Sequence, residues 1–252
     1  MSVDGFETSR VARLYVLDFG LFQVHSDGRI IGICGFLIES TDGKRVLIDT
    51  GFPPDYARDG EMAARRDGLD SFGRVLSLTY ANLPAGQLAL LGLTLNDIDA
   101  LILTHSHIDH IGGLADFPDV PVWVASAERA LSQPLYFGSA PKMVWPTADY
   151  RLVSGDMTFM PGLDILLVPG HAPGQLAFLI ELPKVGPVLL TGDAISRPEE
   201  VAEGFAGSWN VTQATASAAR LLGLARARDA FVIYGHGPAQ WPTLRKAPQA
   251  YD

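Results

Sequence analysis

The stretch that decides the fold is residues 104–113, which read T-H-S-H-I-D-H-I-G-G. The apolar residues 100–103 directly before it predict a buried strand, and the two glycines that end it allow a tight turn. On an extended backbone, residues i and i+2 point to the same side, so His105 and His107 can face one point. Imidazoles beside the carboxylate of Asp109 are typical ligands of a divalent metal such as zinc. The stretch therefore predicts a metal site where a strand ends and a helix begins.

The composition of the 252 residues favours one layered α/β domain and argues against several other classes. Hydrophobic residues make up 48% of the chain, which is ample for a core, and 19% of residues are charged, too few for a disordered chain. The net charge of −9 disfavours a nucleic-acid partner, which usually requires a basic face. No apolar run approaches the roughly 18 residues that span a membrane. Without a secretion signal, and with Cys34 as the one cysteine, we expect a cytoplasmic protein.

Apolar runs predict strands on both sides of the histidine stretch. Residues 53–93 predict a helical and loop-like insertion that packs over the strands, within one domain of residues 1–252. Residues 210–228 predict a helix that Asn210 caps, and Ser126 is expected to cap a shorter one. The predicted strands are 12–18, 30–39, 45–49, 121–125, 163–168, 175–182, 187–190 and 231–234.

Four predicted strands end in a potential metal ligand beside glycine or a tight turn. Ligands at strand ends can converge on one site held by rigid elements. Together with the rest of the histidine stretch they give more donors than the three or four that one tetrahedral zinc takes. Seven donors suit two metal ions about 3.5–4 Å apart that share a bridging carboxylate. The candidate metal ligands are His105, His107, Asp109, His110, His171, Asp193 and His236.

The string H-x-H-x-D-H at 105–110, with the later His171, Asp193 and His236, resembles the metallo-β-lactamase superfamily. The L-I-D-T-G string at 47–51 adds to this resemblance, which covers nearly the whole chain. The fold that it implies is an α/β protein, a four-layer αβ/βα sandwich with the metal site at one edge of two packed sheets.

The resemblance divides the seven donors between two divalent ions. We expect zinc, and iron, manganese or cobalt would accept the same ligands. Asp49 matches a carboxylate that supports the site without ligating, and an aspartate of a strand-end turn is an equal alternative. In the implied division, one ion takes His105, His107 and His171, the other takes Asp109, His110 and His236, and Asp193 bridges them.

Within the superfamily, the ligand spacing and the short tail after His236 resemble the N-acyl homoserine lactone lactonases, which quench quorum sensing. Glyoxalase II enzymes carry a helical domain after the last histidine, and flavodiiron oxygen reductases have glutamate where this chain has His107. Many of these lactonases carry a tyrosine three residues after the bridging aspartate. Here that residue is Ser196, which keeps a hydroxyl and has a shorter reach.

The reaction implied by the resemblance is the opening of a lactone ester by a hydroxide that bridges two metal ions. Asp109 is the expected proton carrier from the hydroxide to the leaving alkoxide. The alternative is a hydrolase of another lactone, ester, phosphodiester or β-lactam on the same metal site. A mononuclear iron oxygenase and a non-catalytic binding protein are further alternatives.

An acyl lactone requires an apolar groove beside the metal ions. The aromatic residues of the loop 133–149 either cover the core or line this groove. We expect a small-molecule lactone or ester as partner, neither nucleic acid nor membrane, and leave a homodimer open. The expected substrate contacts are Ser196, Phe22, Tyr136, Phe137 and Trp145.

Overall fold

Residues 3–136 and 144–252 are described by a computed structural model, and in them the chain forms two packed β-sheets. In the described residues the larger sheet has seven strands, in the order β4-β1-β2-β3-β5-β6-β7. These strands are β1 (Val11–Val24), β2 (Ile30–Ser40), β3 (Arg45–Ile48), β4 (Gly73–Ser77), β5 (Ala100–Ile102), β6 (Val122–Ala125) and β7 (Tyr150–Val153).

The smaller sheet has the order β12-β11-β10-β9-β8. Its strands are β8 (Met157–Met160), β9 (Leu163–Leu167), β10 (Leu176–Leu182), β11 (Gly186–Leu190) and β12 (Phe231–Ile233). The helices are α1 (Asp55–Arg58), α2 (Gly60–Asp67), α3 (Pro84–Ala89), α4 (Ile108–Ile111), α5 (Ser126–Arg129), α6 (Glu200–Glu203) and α7 (Val211–Arg228). Among the described helices, none has both the length and the apolar composition needed to cross a membrane.

The central strands are buried on both faces, because alternate side chains of a strand point to opposite sides of the sheet. In β2, Phe36 and Ile38 belong to the core between the two sheets, whereas Leu37 packs into the core on the outer side of the larger sheet. In β10, Phe178 also faces the core between the sheets, and Leu179 packs toward α7. The apolar runs of these strands reflect this double burial.

Helix α7 covers the smaller sheet with one apolar stripe. Ala214, Ala218, Leu221 and Ala225 are buried, and their spacing places them on one side of the helix. Asn210 caps the helix, since its side chain accepts a hydrogen bond from the backbone N–H of Gln213. With the helices on the outer side of the larger sheet, the layers form the predicted αβ/βα sandwich.

The strand directions bring the predicted ligands to one edge. Strands β3 and β5 are parallel neighbours, as are β11 and β12, so their carboxyl ends lie side by side. Strand β9 runs in the same direction as β11, because both are antiparallel to β10. The residues that follow β5, β9, β11 and β12 therefore meet where the two sheets face each other.

Three local predictions are corrected. The predicted insertion at 53–93 contains strand β4, which pairs with the last four residues of β1 because β1 extends beyond its predicted end to Val24. Strands β7 and β8 were not predicted. Ser126 does not cap α5 but is its first residue, and its hydroxyl lies 2.6 Å from that of Ser154.

Candidate metal centre

The seven predicted ligands lie together at the common edge of the two sheets. Their donor atoms form three groups within which all atoms lie within 4.8 Å of one another. These groups are His105, His107 and His171; His105, His110 and Asp193; and Asp109, His110 and His236.

The first group is set by the extended backbone after β5. Nε2 of His105 lies 2.9 Å from Nδ1 of His107, and Nε2 of His171 lies 3.0 Å from the same atom. The loop is held from the side by Tyr136, whose N–H donates to the Ser106 carbonyl and whose carbonyl accepts from the N–H of Ile108. Three imidazole nitrogens thus face one point, as a metal site requires.

Asp193 lies between the two sets of donors. Its Oδ2 is 3.2 Å from Nε2 of His236 and 3.5 Å from Nε2 of His171, and its Oδ1 is 3.7 Å from Nε2 of His110. Gly235 permits this approach, because a Cβ at that position would lie 2.5 Å from Oδ1 of Asp193. The Asp193 carboxylate thus lies within 3.7 Å of donors from both predicted sets.

Two of these buried donor atoms have no hydrogen-bond partner in the described part of the chain. They are Nε2 of His110 and Oδ1 of Asp193. A buried polar atom without a partner is costly, and such an atom in a native structure requires an explanation. Both atoms point among other nitrogen and oxygen donors, so the residues present fit divalent metal ions.

Burial and the neighbouring charges give the donors different protonation states. Burial lowers the pKa of His105 and of His107 well below the usual range, so both imidazoles are neutral, the form that binds a metal. Burial also opposes the charged form of His236, but the carboxylate of Asp193 outweighs it and raises the pKa to about 9. Burial would raise the pKa of Asp193, but His236 and His110 hold it well below its usual range. The carboxylate is therefore ionised.

Neighbouring groups fix the outer nitrogens of two ligands. Oδ2 of Asp49 lies 2.8 Å from Nδ1 of His110, and the carbonyl of Gly32 lies 3.0 Å from Nδ1 of His236. Such partners orient an imidazole and set which nitrogen is free for the metal. Asp49 thus has the supporting position that the resemblance implied.

A cavity of about 470 Å³ opens beside the donors. Asp109, Asp193 and His236 line it, together with Ser196. A further set of lining residues, here called the apolar wall, comes from β1, β2 and the segment between β3 and β4. This set includes Phe22, Ile31, Ile33, Phe52, Leu69 and Phe72.

Two of the expected substrate contacts are corrected, since the structure does not place them in this wall. Tyr136 is buried in the core on the outer side of the larger sheet. Trp145 is buried as well, where its indole N–H donates to the carbonyl of Leu131 and the Arg129 guanidinium lies over its ring. Phe22 and Ser196 do line the cavity. Phe137 lies outside the described residues.

Comparisons with known proteins identify the family. The sequence model of the Metallo-beta-lactamase superfamily matches residues 35–236. The chain belongs to the metallo-β-lactamase superfamily. An N-acyl homoserine lactonase from a Bacillus species is 33% identical over 80% of this chain and 79% of its own length. Another from Bacillus thuringiensis is 30% identical over 85% of this chain and 84% of its own length.

Solved structures of superfamily members have the same fold. A structure of N-acyl homoserine lactone hydrolase with the product N-hexanoyl-L-homoserine at the catalytic metal centre matches with a TM-score of 0.83 and 26% identity. It covers 96% of this chain and 100% of its own. A B. thuringiensis AiiA mutant with N-decanoyl-L-homoserine at the active site matches equally well, with a TM-score of 0.83, 26% identity and the same two coverages.

Sequence reasoning missed part of this superfamily member's site. The wall residues Ile31, Ile33 and Phe52 belong to apolar segments that read as ordinary core, and no local pattern marks them as cavity wall. Thr104 was also missed. Its N–H and hydroxyl both donate to the Asp49 carboxylate, and a hydroxyl directly before the first histidine was the available signal.

Proposed function

We propose that this metal-dependent hydrolase opens the ester ring of N-acyl homoserine lactones. The observation that carries the proposal is the cluster of seven donors beside a cavity with one apolar wall. An acyl homoserine lactone has an ester that could react at the donor cluster and an apolar chain that could bind the apolar wall. The relatives named as N-acyl homoserine lactonases, and the product-bound structure at 26% identity, support the same substrate class.

We propose two divalent ions per chain, with zinc favoured and iron, manganese or cobalt as alternatives. His105, His107 and His171 would hold one, Asp109, His110 and His236 the other, and Asp193 both. When bound, such ions polarise an ester carbonyl and lower the pKa of water toward neutrality.

Asp109 is the proposed proton carrier. It lies in the cavity lining, and its Oδ2 is 3.4 Å from Nε2 of His236. Its side chain is 18% exposed, so it can meet substrate as well as a metal ion. In the proposed reaction this carboxylate accepts a proton from the attacking water or hydroxide and delivers it to the alkoxide that forms when the ring opens.

The apolar wall would take the acyl chain. The Phe22 ring lies 6.0 Å from that of Phe72 and 6.2 Å from that of Phe52, so the three rings form a continuous surface. Ser196, which also lines the cavity, has less reach than a tyrosine. This departure favours, as a second candidate, a lactone other than an acyl homoserine lactone.

The test is a panel of lactones and esters, scored by proton release with enzyme that has been chelated and then reloaded with metal. We expect hydrolysis of acyl homoserine lactones that is lost on chelation and restored by metal. If the reloaded enzyme hydrolysed only other lactones, the substrate assignment would change to those lactones. If it hydrolysed no ester or lactone, the proposed function would be wrong. A homodimer and a cytoplasmic setting stay predictions of the sequence.

A further inference from the structure

One buried carboxylate joins the two loops that carry the three histidines of the first group. Glu128 in α5 is fully buried. Its Oε1 accepts hydrogen bonds from the N–H of Ser106, at 2.9 Å, and from the Ser106 hydroxyl. Its Oε2 accepts from the N–H of Gly174 at 3.0 Å. Ser106 lies between His105 and His107, and Gly174 lies three residues after His171.

The contact between these segments is close. A Cβ at Gly174 would lie 2.6 Å from Cβ of Ala125 and 2.8 Å from Cβ of Glu128. The loop after His171 therefore rests directly on the start of α5. The Ser106 hydroxyl also accepts from the N–H of Leu135, at 3.0 Å, so the histidine loop is held on both sides.

The Asp109, His110 and His236 group has other supports. Asp49 contacts His110, and the Gly32 carbonyl contacts His236. In the described residues the Glu128 carboxylate accepts three hydrogen bonds, two from Ser106, which lies between His105 and His107, and one from Gly174 in the loop after His171. We therefore expect Glu128 to affect metal binding at the first site, formed by His105, His107 and His171. We expect no effect at the second site, formed by Asp109, His110 and His236.

A buried carboxylate is expensive to desolvate unless it is well hydrogen-bonded. An apolar residue could fill the same space, but it would leave the N–H groups of Ser106 and Gly174 without this acceptor. We propose that Glu128 is a positioning residue that sets the spacing between His105, His107 and His171 and thereby the metal affinity of that site alone. The inference rests on the proposed metal centre.

The direct test replaces Glu128 with glutamine. In Glu128→Gln the amide oxygen can still accept from Ser106, but the amide nitrogen cannot accept from Gly174, so one side of the link is lost at constant size. We expect the zinc affinity of the first site to fall by about 10–100-fold, the usual scale for losing a partner that supports a ligand. Affinity is measured on purified protein by competition with a chromophoric chelator. Glu181→Gln is the matched control, because Glu181 pairs with Arg228 at the surface.

Two backgrounds identify the affected site. In His236→Ala, which leaves the first site, adding Glu128→Gln should weaken the remaining zinc. In His171→Ala, which leaves the second site, adding Glu128→Gln should not change the affinity for the remaining zinc. Adding Asp49→Asn to His171→Ala should weaken the remaining zinc. Equal losses in both backgrounds, or none in His236→Ala, would overturn the inference.

A milder change decides the matter if Glu128→Gln does not fold. Ser106→Ala removes only the hydroxyl bond and should weaken the first site selectively. Unchanged zinc affinity in Ser106→Ala would also overturn the inference. If the unaltered protein bound no zinc, the proposed metal centre itself would fail, and if it bound two ions while Glu128→Gln matched it, only the role of Glu128 would fail.

Discussion

Oδ2 of Asp49 lies 2.8 Å from Nδ1 of His110, across the ends of two parallel strands. Asp49 has a φ of 62°, a conformation that a residue other than glycine adopts when its surroundings impose it. Thr104 donates to both oxygens of the carboxylate, at 2.8 Å from its N–H and 2.7 Å from its hydroxyl. The carboxylate thus holds the His110 ring with Nε2 directed at the other donors.

The first prediction concerns this contact. Asp49→Asn removes the charge and one acceptor, so His110 is less firmly oriented. We expect the affinity for the metal ion at Asp109, His110 and His236 to fall by about 10–100-fold. Chelator competition measures the change, and Asp99→Asn, at a surface pair with Lys44, serves as control. Unchanged affinity in Asp49→Asn would show that the contact does not support the metal.

A second prediction separates a bridging ligand from a ligand of one ion. Asp193 lies within 3.7 Å of histidines from both sets, so Asp193→Ala should lower the occupancy of both ions. His171→Ala should lower only one. Metal analysis of the purified variants gives the two stoichiometries, and two tightly held ions in Asp193→Ala would refute bridging.

Asp109→Asn tests the proton path. The amide can offer an oxygen to a metal ion but cannot carry the proton, so we expect kcat to fall by about 10²–10⁴-fold with less effect on metal content. Steady-state rates and metal content are measured on the same preparation. Near-normal turnover with full metal content would remove Asp109 from the proton path.

The apolar wall predicts a dependence on acyl-chain length. Each buried CH₂ contributes about 0.8 kcal/mol, so Phe22→Ala should raise KM more for long acyl chains than for short ones, with little change in kcat. Phe231→Ala is the matched control, because that ring packs near Tyr251 and is absent from the cavity lining. Equal KM changes for all chain lengths in Phe22→Ala would place the chain elsewhere.

The thiol of Cys34 should be unreactive in the folded protein. Burial, and then the nearby carboxylates of Asp49 and Asp193, raise its pKa well above the usual range. Since a raised pKa leaves less thiolate at any given pH, we expect no reaction with a disulfide reagent at pH 8. One thiol per chain should react after unfolding, and rapid reaction of the native protein would contradict the burial.

The sequence predicted most of the sandwich and the gathering of the donors. Strands such as β2 and β10 are buried on both faces, so each forms an apolar run that is visible without any partner. The ligands are visible because histidine, aspartate and glycine interrupt these runs at the strand ends. Strand β4 was missed because its five residues include two that are polar, and it exists through pairing with β1.

The cavity could not be read from the sequence in the same way. Trp145 and Phe22 are both aromatic residues in apolar surroundings, and only the packing of distant segments decides which one faces a cavity. The short separation between Phe22 and Phe52 depends on how β1 meets the segment after β3. Sequence composition carries no information on how these two distant segments pack against each other.

The apolar wall and the metal donors lie on different elements, which bears on how this enzyme can evolve. The wall comes from β1, β2 and residues 52–72, whereas most donors follow β5, β9, β11 and β12. Substitutions at Phe22, Ile31 or Phe72 can therefore reshape the cavity while every donor keeps its place. Variation under selection, or in a directed library, can therefore change the shape of the cavity by single substitutions that each leave the donor cluster intact.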